Sequence, residues 1–268
     1  MIGLVPAAVL VAAPLGTALQ EMTQPAAEVR PVASSHHFPD GQSFVYNVEW
    51  RLWNAGTATL QVSSDANQQH VHGSAVSTGA VALLYHVQDR FDSYFDSHSS
   101  CSSQIIKHTE EGLRRKQTQI SFDYARRRAV LDETNLRNQQ KKHEEHEIPG
   151  CSTDVLSALF YTASLPLEPG SSNSFPINDG ANTVNVTVRA EAREETKTPA
   201  GTFKTIRVQP EAGSGLLKER GHIWIWYSDD AQRFPVQMRA RMLWGTLTFR
   251  LARVEKIQPS VSSRSADK

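Results

Sequence analysis

Short segments in which apolar and less apolar residues alternate are the feature that most restricts the fold of this chain. In SFVYNVEW, Phe44, Tyr46, Val48 and Trp50 recur at every second position, and a period of two places them on one face of a β-strand. About ten such segments occur, at residues 43–50, 56–64, 69–78, 87–96, 114–124, 183–195, 203–212, 221–228, 234–242 and 245–257. Short polar turns join most of them, which favours antiparallel pairing.

The segment IWIWYS has a second property. Ile223 and Ile225 point to one face of a strand, whereas Trp224 and Trp226 point to the other. Both faces of this strand therefore need a cover, and a sheet that curls provides an interior face that a helix can plug. We expect a mainly β fold, in which an antiparallel curved sheet closes into a barrel or half-barrel with one or two short helices.

Helix signals are few. The best is STDVLSALFYTAS, which predicts a helix over residues 153–164 with Ser152 as its cap, Asp154 in its first turn and Pro166 beyond its end. A shorter helical turn is expected in GAVALLYHV, residues 79–87.

The first 20 residues are apolar and uncharged, and small residues follow the apolar run. This pattern is typical of a secretory signal peptide, here residues 1–18, although the usual basic segment is missing. We expect a flexible leader over residues 19–40, a single β-rich domain over residues 41–258 and a disordered tail over residues 259–268. The predicted location is periplasmic or otherwise exported, with no membrane span in the mature chain.

The only two cysteines are Cys101 and Cys151. Two cysteines in an exported chain predict one disulfide, and two unpaired buried thiols are the alternative.

Lys and Arg number 28, and Asp and Glu also number 28. The balanced charge argues against a nucleic-acid partner.

Histidines are the best candidates for metal ligands. His70 and His72 are two residues apart, so a strand places both on one face. The run KKHEEHE holds His143 and His146 three residues apart, a spacing that differs from the zinc-helix motif and suits a solvated charged face. We expect no metal, no cofactor and no catalytic residue.

Four blocks carry a resemblance to a known family. Trp226, Ser228, Asp230, Arg233, Pro235 and Val236 fit the pattern W-x-S-x-D-x-x-R-x-P-V. Together with FPDGQSFVYNVEWRLWNAGTATLQV, STDVLSALFYTASLPLEPG and TPAGTFKTIRVQP, this pattern resembles the exported bacterial proteins grouped as domain of unknown function 3108. The resemblance spans about residues 38 to 252 and implies an exported, single β-rich domain, but it implies no activity.

The same signature has a physical explanation as a turn. Ser228, Asp229 and Asp230 are turn formers, Arg233 can pair with their carboxylates, and Pro235 suits an edge or a bulge. We therefore interpret these residues as structural, not catalytic.

Aromatic residues on the strands are the remaining functional candidates. We predict that Trp50, Trp224 and Trp226 bind an apolar ligand such as a lipid or acyl chain, in a non-catalytic envelope protein that carries this ligand or supports envelope assembly. The alternatives are a purely structural or protein-interaction module with an envelope protein partner, and an envelope hydrolase without a recognisable motif.

Overall fold

A computed structural model describes residues 27–51, 53–212, 221–242 and 245–257. The predicted signal peptide (1–18), the first part of the predicted leader (19–26) and the predicted tail (259–268) lie outside the described residues.

The described residues form one sheet of 15 strands and two helices. The strands are β1 (Gln42–Trp50), β2 (Trp53–Asp65), β3 (Gln68–Ser77), β4 (Gln88–Asp96), β5 (Ser102–Glu111), β6 (Arg114–Asp123), β7 (Arg128–Asn135), β8 (Lys141–Glu147), β9 (Thr153–Asp154), β10 (Ser172–Asn178), β11 (Thr183–Thr198), β12 (Gly201–Ala212), β13 (His222–Ser228), β14 (Pro235–Met242) and β15 (Gly245–Lys256). The helices are α1 (Gly79–Leu84) and α2 (Val155–Ser164).

The sheet is two meanders joined at one seam. Its order is β8-β7-β6-β5-β4-β3-β2-β1-β15-β14-β13-β12-β11-β10-β9, so the first and last long strands pair with each other. All pairs are antiparallel except the short pair of β9 with β10. Where β2 pairs with the end of β3, the two strands approach so closely that a Cβ on Gly56 would lie 2.1 Å from the Val76 carbonyl oxygen. Only glycine fits there.

Helix α2 lies against the inner face of this sheet. Its side chains from Ser157 to Ala163 are all buried. Tyr227 of β13 donates a hydrogen bond to the Leu159 carbonyl at 2.7 Å, and Tyr161 packs edge-on against Phe175 of β10 with ring centroids 4.8 Å apart. Leu156 approaches Gly73 of β3 at the other side. The sheet therefore curls around the helix, and the helix fills the interior.

The helix begins two positions later than the sequence suggests, at Val155 instead of residue 153. Asp154, not Ser152, is the N-cap, and its carboxylate accepts hydrogen bonds from the backbone N–H groups of Leu156 and Ser157. The Ser157 hydroxyl in turn accepts from the Asp154 N–H, which completes a capping box. A serine at the third helical position substitutes for the usual Glu or Gln.

Within the described strands the sheet does not close, since β8 and β9 remain edges. Side-chain and loop contacts bring its two ends together instead. Asn178 of β10 hydrogen-bonds His146 of β8 at 2.7 Å, and Ser102 N–H of β5 donates to the Ser152 carbonyl at 2.9 Å. The prediction of a mainly β fold with a curved antiparallel sheet and two short helices is confirmed, in its half-barrel form.

The predicted leader is wrong for residues 27–40. Val29 and Val32 are buried in the main core, and the Glu28 N–H donates to the Ser174 carbonyl of β10. The Arg30 N–H donates to the Tyr161 hydroxyl at 2.8 Å. The sequence of this segment lacks periodicity because only a few of its side chains and backbone groups contact the core, and these do not form one continuous face.

Cys101 and Cys151 form a disulfide. It joins the β4–β5 connection to the segment that leads into β9 and α2. No helix among the described residues has the length and apolar character needed to cross a membrane.

Candidate functional site

The inner face of the half-barrel carries apolar side chains in register across four strands. Val48, Phe249, Met238 and Ile225 form one row, and Trp50, Leu247, Ala240 and Ile223 form the next. Five of these pack on the main core yet stay partly exposed: Trp50, Ile225, Met238, Leu247 and Phe249. We refer to these five as the inner strip. At the usual strand spacing it measures about 14 Å across the strands and about 7 Å along them.

Burial changes along these same strands. Tyr46, Leu251, Tyr227 and Val236 lie on the same face, nearer the β13–β14 turn, and all are fully buried. From these four residues towards the inner strip exposure increases, in the direction of the end of the sheet that carries the β1–β2, β5–β6 and β7–β8 turns and α1. We call this end the upper end. The inner strip is thus an apolar, concave surface that can be reached from the upper end.

The floor below the inner strip is closed and its polar groups are satisfied. The Tyr46 hydroxyl donates to the Pro235 carbonyl at 2.8 Å, and the Tyr227 hydroxyl donates to the Leu159 carbonyl. Burial raises the pKa of both hydroxyls well above the usual range. Neither tyrosine titrates or presents a hydrogen bond to the strip, so the surface suits an apolar ligand.

The three tryptophans predicted as ligand-binding residues do not lie together. Trp50 belongs to the inner strip, but Trp224 and Trp226 lie on the outer face, so the structure does not bring the three side chains to one surface. The even positions of β13 face outwards because Tyr227 and Ile225 take the interior. Periodicity separates the two faces of a strand but does not say which one is inside.

The outer face of β13 is covered by long polar side chains and not by a helix. Trp226 is only 6% exposed. Its Nε1 donates to the Glu194 carboxylate, and the Arg239 guanidinium lies 5.4 Å from its ring centroid. Trp224 stacks on His222 with centroids 5.7 Å apart. Polar side chains from β11 and β14 thus cover the outer face of β13, which the sequence IWIWYS predicts to need a cover.

The β13–β14 turn is built by its own side chains. The Asp230 carboxylate accepts from the Ser228 hydroxyl and from the N–H groups of Gln232 and Arg233. Asp229 lies 3.0 Å from Arg193 of β11. Pro235 sits opposite Tyr227 beside a register shift.

Arg233 differs from the prediction. Its guanidinium donates to the Leu165 carbonyl at 2.6 Å, at the end of α2, and does not pair with the turn carboxylates. The turn therefore also holds the C-terminal end of α2. The hairpin sequence alone cannot predict this contact, because Leu165 is 68 residues away along the chain.

A separate cavity of about 600 Å³ lies beside β10 and β11. Its lining is largely polar and includes Glu28, Arg30, Ser174, Asn185, Thr187 and Arg189. Ordered water suits such a lining better than an acyl chain does.

His70 and His72 do share one face of β3, and the sequence missed their partner. The His70 Nε2 and the His72 Nδ1 each lie 2.8 Å from the Asp92 Oδ1 on β4. His143 of KKHEEHE lies on the exposed edge strand β8, 2.8 Å from Asp132. Asp92 is 20 residues from His72, and only the strand register identifies it.

One buried polar cluster is structural. The Asp154 carboxylate accepts from the hydroxyls of Ser93 and Ser102 at 2.6 and 2.7 Å, and Ser102 also hydrogen-bonds Ser157. These groups cap α2 and tie it to β4 and β5. Because all are buried, they are closed to a substrate.

Comparison with known proteins agrees with this architecture. The family model described as a protein of unknown function, DUF3108, matches residues 45–252. The chain belongs to the DUF3108 family. Comparison of this DUF3108 chain with curated proteins gives no match.

The chain is similar to solved structures at low sequence identity. A beta-barrel-like protein of domain of unknown function DUF1849 from Brucella abortus has a TM-score of 0.58 and 6% identity, with 87% of this chain and 100% of that chain covered. A protein from Bacteroides fragilis with a YmcC-like fold, provisionally described as exported, has a TM-score of 0.37 and 10% identity, with 82% and 98% covered. At such identities the DUF1849 likeness extends to the fold alone.

Proposed function

We propose that this DUF3108 protein is an exported, non-catalytic cell-envelope protein that binds the acyl chain of a lipid along the inner strip. One observation carries the proposal. The five side chains of the inner strip lie in two in-register apolar rows and stay partly exposed, whereas the residues of the floor below them are buried and their polar groups are hydrogen-bonded. In a purely structural half-barrel these rows would be covered like the rows below them. A concave apolar surface is the usual form of a lipid site.

The chemistry of the strip favours a chain over a polar ligand. Its five side chains offer aromatic and aliphatic surface from Trp50, Phe249, Leu247, Met238 and Ile225. Each methylene that leaves water contributes about 0.8 kcal/mol. About ten methylenes would contribute about 8 kcal/mol, which corresponds to a Kd of about 1 µM before the costs of association are subtracted. We therefore expect micromolar or weaker binding of a single chain.

Two observations support export. The chain begins with an uncharged apolar stretch, and its only two cysteines are joined in a disulfide. Structural disulfides form and persist in oxidising compartments such as the bacterial periplasm.

The test starts with protein purified from a bacterial periplasm without detergent. Native mass spectrometry with lipid extraction should show a bound lipid that leaves on denaturation. Titration with dansyl-undecanoic acid then measures affinity. Leu247→Lys places a charge on the inner strip, whereas Thr246→Lys places the same charge on the neighbouring outward position of β15.

We expect Leu247→Lys to lower probe affinity at least tenfold and Thr246→Lys to change it less than twofold, with both variants folded by circular dichroism. Equal affinity in the two variants, or a wild-type chain that binds no lipid and no probe, would refute the proposal.

Protein interaction is the second candidate function, and a different surface favours it. Trp53, Leu83, Leu84 and Leu113 are each at least 71% exposed and lie at the upper end. Exposed apolar residues that cluster on one end of a protein commonly mark a contact surface. A photo-reactive residue at Leu84 should crosslink one envelope protein in the periplasm, and one at the distant, polar Arg126 should not. Identical crosslinking patterns at both positions would argue against this candidate.

A further inference from the structure

Two histidines and one aspartate meet on the outer face of the sheet, away from the inner strip. His70 and His72 stand two residues apart on β3, and β4 places Asp92 directly opposite His72. Their three ligand atoms, the His70 Nε2, the His72 Nδ1 and an Asp92 oxygen, all lie within 4.8 Å of one another. Among the described residues, this is the group of histidine and carboxylate side chains that is close enough to share one ion.

We propose that His70, His72 and Asp92 form a binding site for one divalent transition-metal ion, with Zn²⁺ as the reference ion. Two imidazole nitrogens and one carboxylate oxygen are a donor set that zinc sites use, with a fourth position left for water or another ligand. Nitrogen donors favour Zn²⁺, Cu²⁺ and Ni²⁺, whereas Mg²⁺ and Ca²⁺ require oxygen ligands.

The distances require little movement. Ligands that lie 2.0 to 2.2 Å from a tetrahedral zinc ion are about 3.4 Å from each other. The two nitrogens now lie 2.8 Å from the Asp92 Oδ1. Opening these two hydrogen bonds by about half an ångström admits the ion. The two imidazole nitrogens, which lie within 4.8 Å of each other, must also reach a separation of about 3.4 Å.

Neighbouring groups hold the ligands in place. The His70 ring stacks on Tyr94, its cross-strand partner, with centroids 4.3 Å apart and planes 3° from parallel. Tyr94 therefore fixes the plane of one imidazole. The three ligand side chains are between 26% and 34% exposed, which leaves the fourth position open to solvent. The plane of the His70 imidazole is thus fixed by Tyr94, and the fourth coordination position is accessible to solvent.

The test is calorimetric titration of the full mature chain with Zn²⁺, in metal-free buffer, with Mg²⁺ as the control ion. We expect one Zn²⁺ per chain and no heat from Mg²⁺. His72→Gln and Asp92→Asn should each lower Zn²⁺ affinity at least tenfold. His143→Ala is the matched control, since His143 also lies 2.8 Å from an aspartate on a strand but belongs to no three-ligand group within the part of the chain that the structure describes.

Binding is also followed by Co²⁺ absorption, which reports the coordination of the ion and separates ligand loss from misfolding. Melting temperatures measured in chelator should agree between wild type and variants. The proposal is overturned if wild type binds no Zn²⁺, or if Asp92→Asn and His72→Gln bind Zn²⁺ as tightly as wild type, whatever the affinity of His143→Ala.

Discussion

The buried cap of α2 supports the sharpest prediction about stability. The Asp154 carboxylate is 2% exposed and accepts four hydrogen bonds, two from the helix N–H groups of Leu156 and Ser157 and two from the hydroxyls of Ser93 and Ser102. Asp154→Ala removes the two carboxylate oxygens that accept these four hydrogen bonds. Loss of an N-cap costs about 1 to 2 kcal/mol, and each fully buried hydroxyl that loses its acceptor costs at least about 1 kcal/mol.

The sum is about 3 to 4 kcal/mol, a large part of the 5 to 15 kcal/mol that typically stabilises a domain. For a domain of this size it corresponds to a fall in melting temperature of about 10 °C. Asp154→Asn should cost less, about 1 to 2 kcal/mol, because asparagine also caps helices and the serine hydroxyls can rotate to accept from its amide.

Urea unfolding followed by circular dichroism measures these values. Asp40→Ala is the control, since the Asp40 carboxylate also accepts a backbone N–H, from Ser64 at 2.7 Å, but at an exposed site. It should cost less than about 1 kcal/mol. If Asp154→Ala costs no more than Asp40→Ala, or if Asp154→Asn costs as much as Asp154→Ala, the reasoning about buried hydrogen bonds at this cap is wrong.

Two further predictions concern the disulfide and one buried acid. Replacing Cys101 and Cys151 by serine should lower the free energy of unfolding by about 4 kcal/mol on the chain-entropy model, because they are 50 residues apart; equal urea midpoints with the oxidised wild type would contradict this. Burial, together with the nearby Glu111 carboxylate, raises the pKa of Asp89 to about 6. The folded state then holds this proton more tightly than the unfolded state, so stability falls as pH rises from about 4 to about 6. Asp89→Asn keeps an acceptor for the Glu110 N–H and should stabilise the protein at pH 7 by up to about 3 kcal/mol but not at pH 4; an equal effect at both pH values would refute the assignment.

Much of the fold is predictable from the sequence because its long strands alternate. Five strands are not predicted by alternation: β5, β7, β8, β9 and β10. In β8, the segment KKHEEHE is polar on both faces, so it shows no alternation. Its backbone hydrogen bonds to β7 make it a strand. In β10, Pro176 and polar neighbours hide a strand that borders the short β9 and so needs fewer ladder donors. In the edge strand β8 neither face is buried, so it lacks the alternation that sequence patterns detect.

The candidate sites were harder to predict than the strands for a different reason. The sequence predicts Trp50 as a ligand-binding residue, but Leu247, Phe249 and Met238 join it only through the pairing of β1 with β15 and of β15 with β14. Asp92 joins His72 only through the β3–β4 register. A site assembled across strands depends on register, and register is fixed by the whole sheet, not by the segment that holds each residue.

The two ends of the half-barrel differ in how completely their apolar side chains are covered. At the β13–β14 end, Arg233 fixes the last turn of α2, the Ser228–Asp230 turn is internally bonded, and Tyr227 anchors the helix from the sheet. At the upper end, the same strands carry the partly exposed inner strip and the exposed apolar side chains of α1. Exposed apolar surface lowers the stability of a protein. A binding site needs such a surface on a rigid support, and here the exposed apolar side chains lie at one end of strands that are held rigid at the other end. A substitution at the Arg233 turn should therefore lower stability first, whereas one at Leu247 should lower affinity without unfolding the chain.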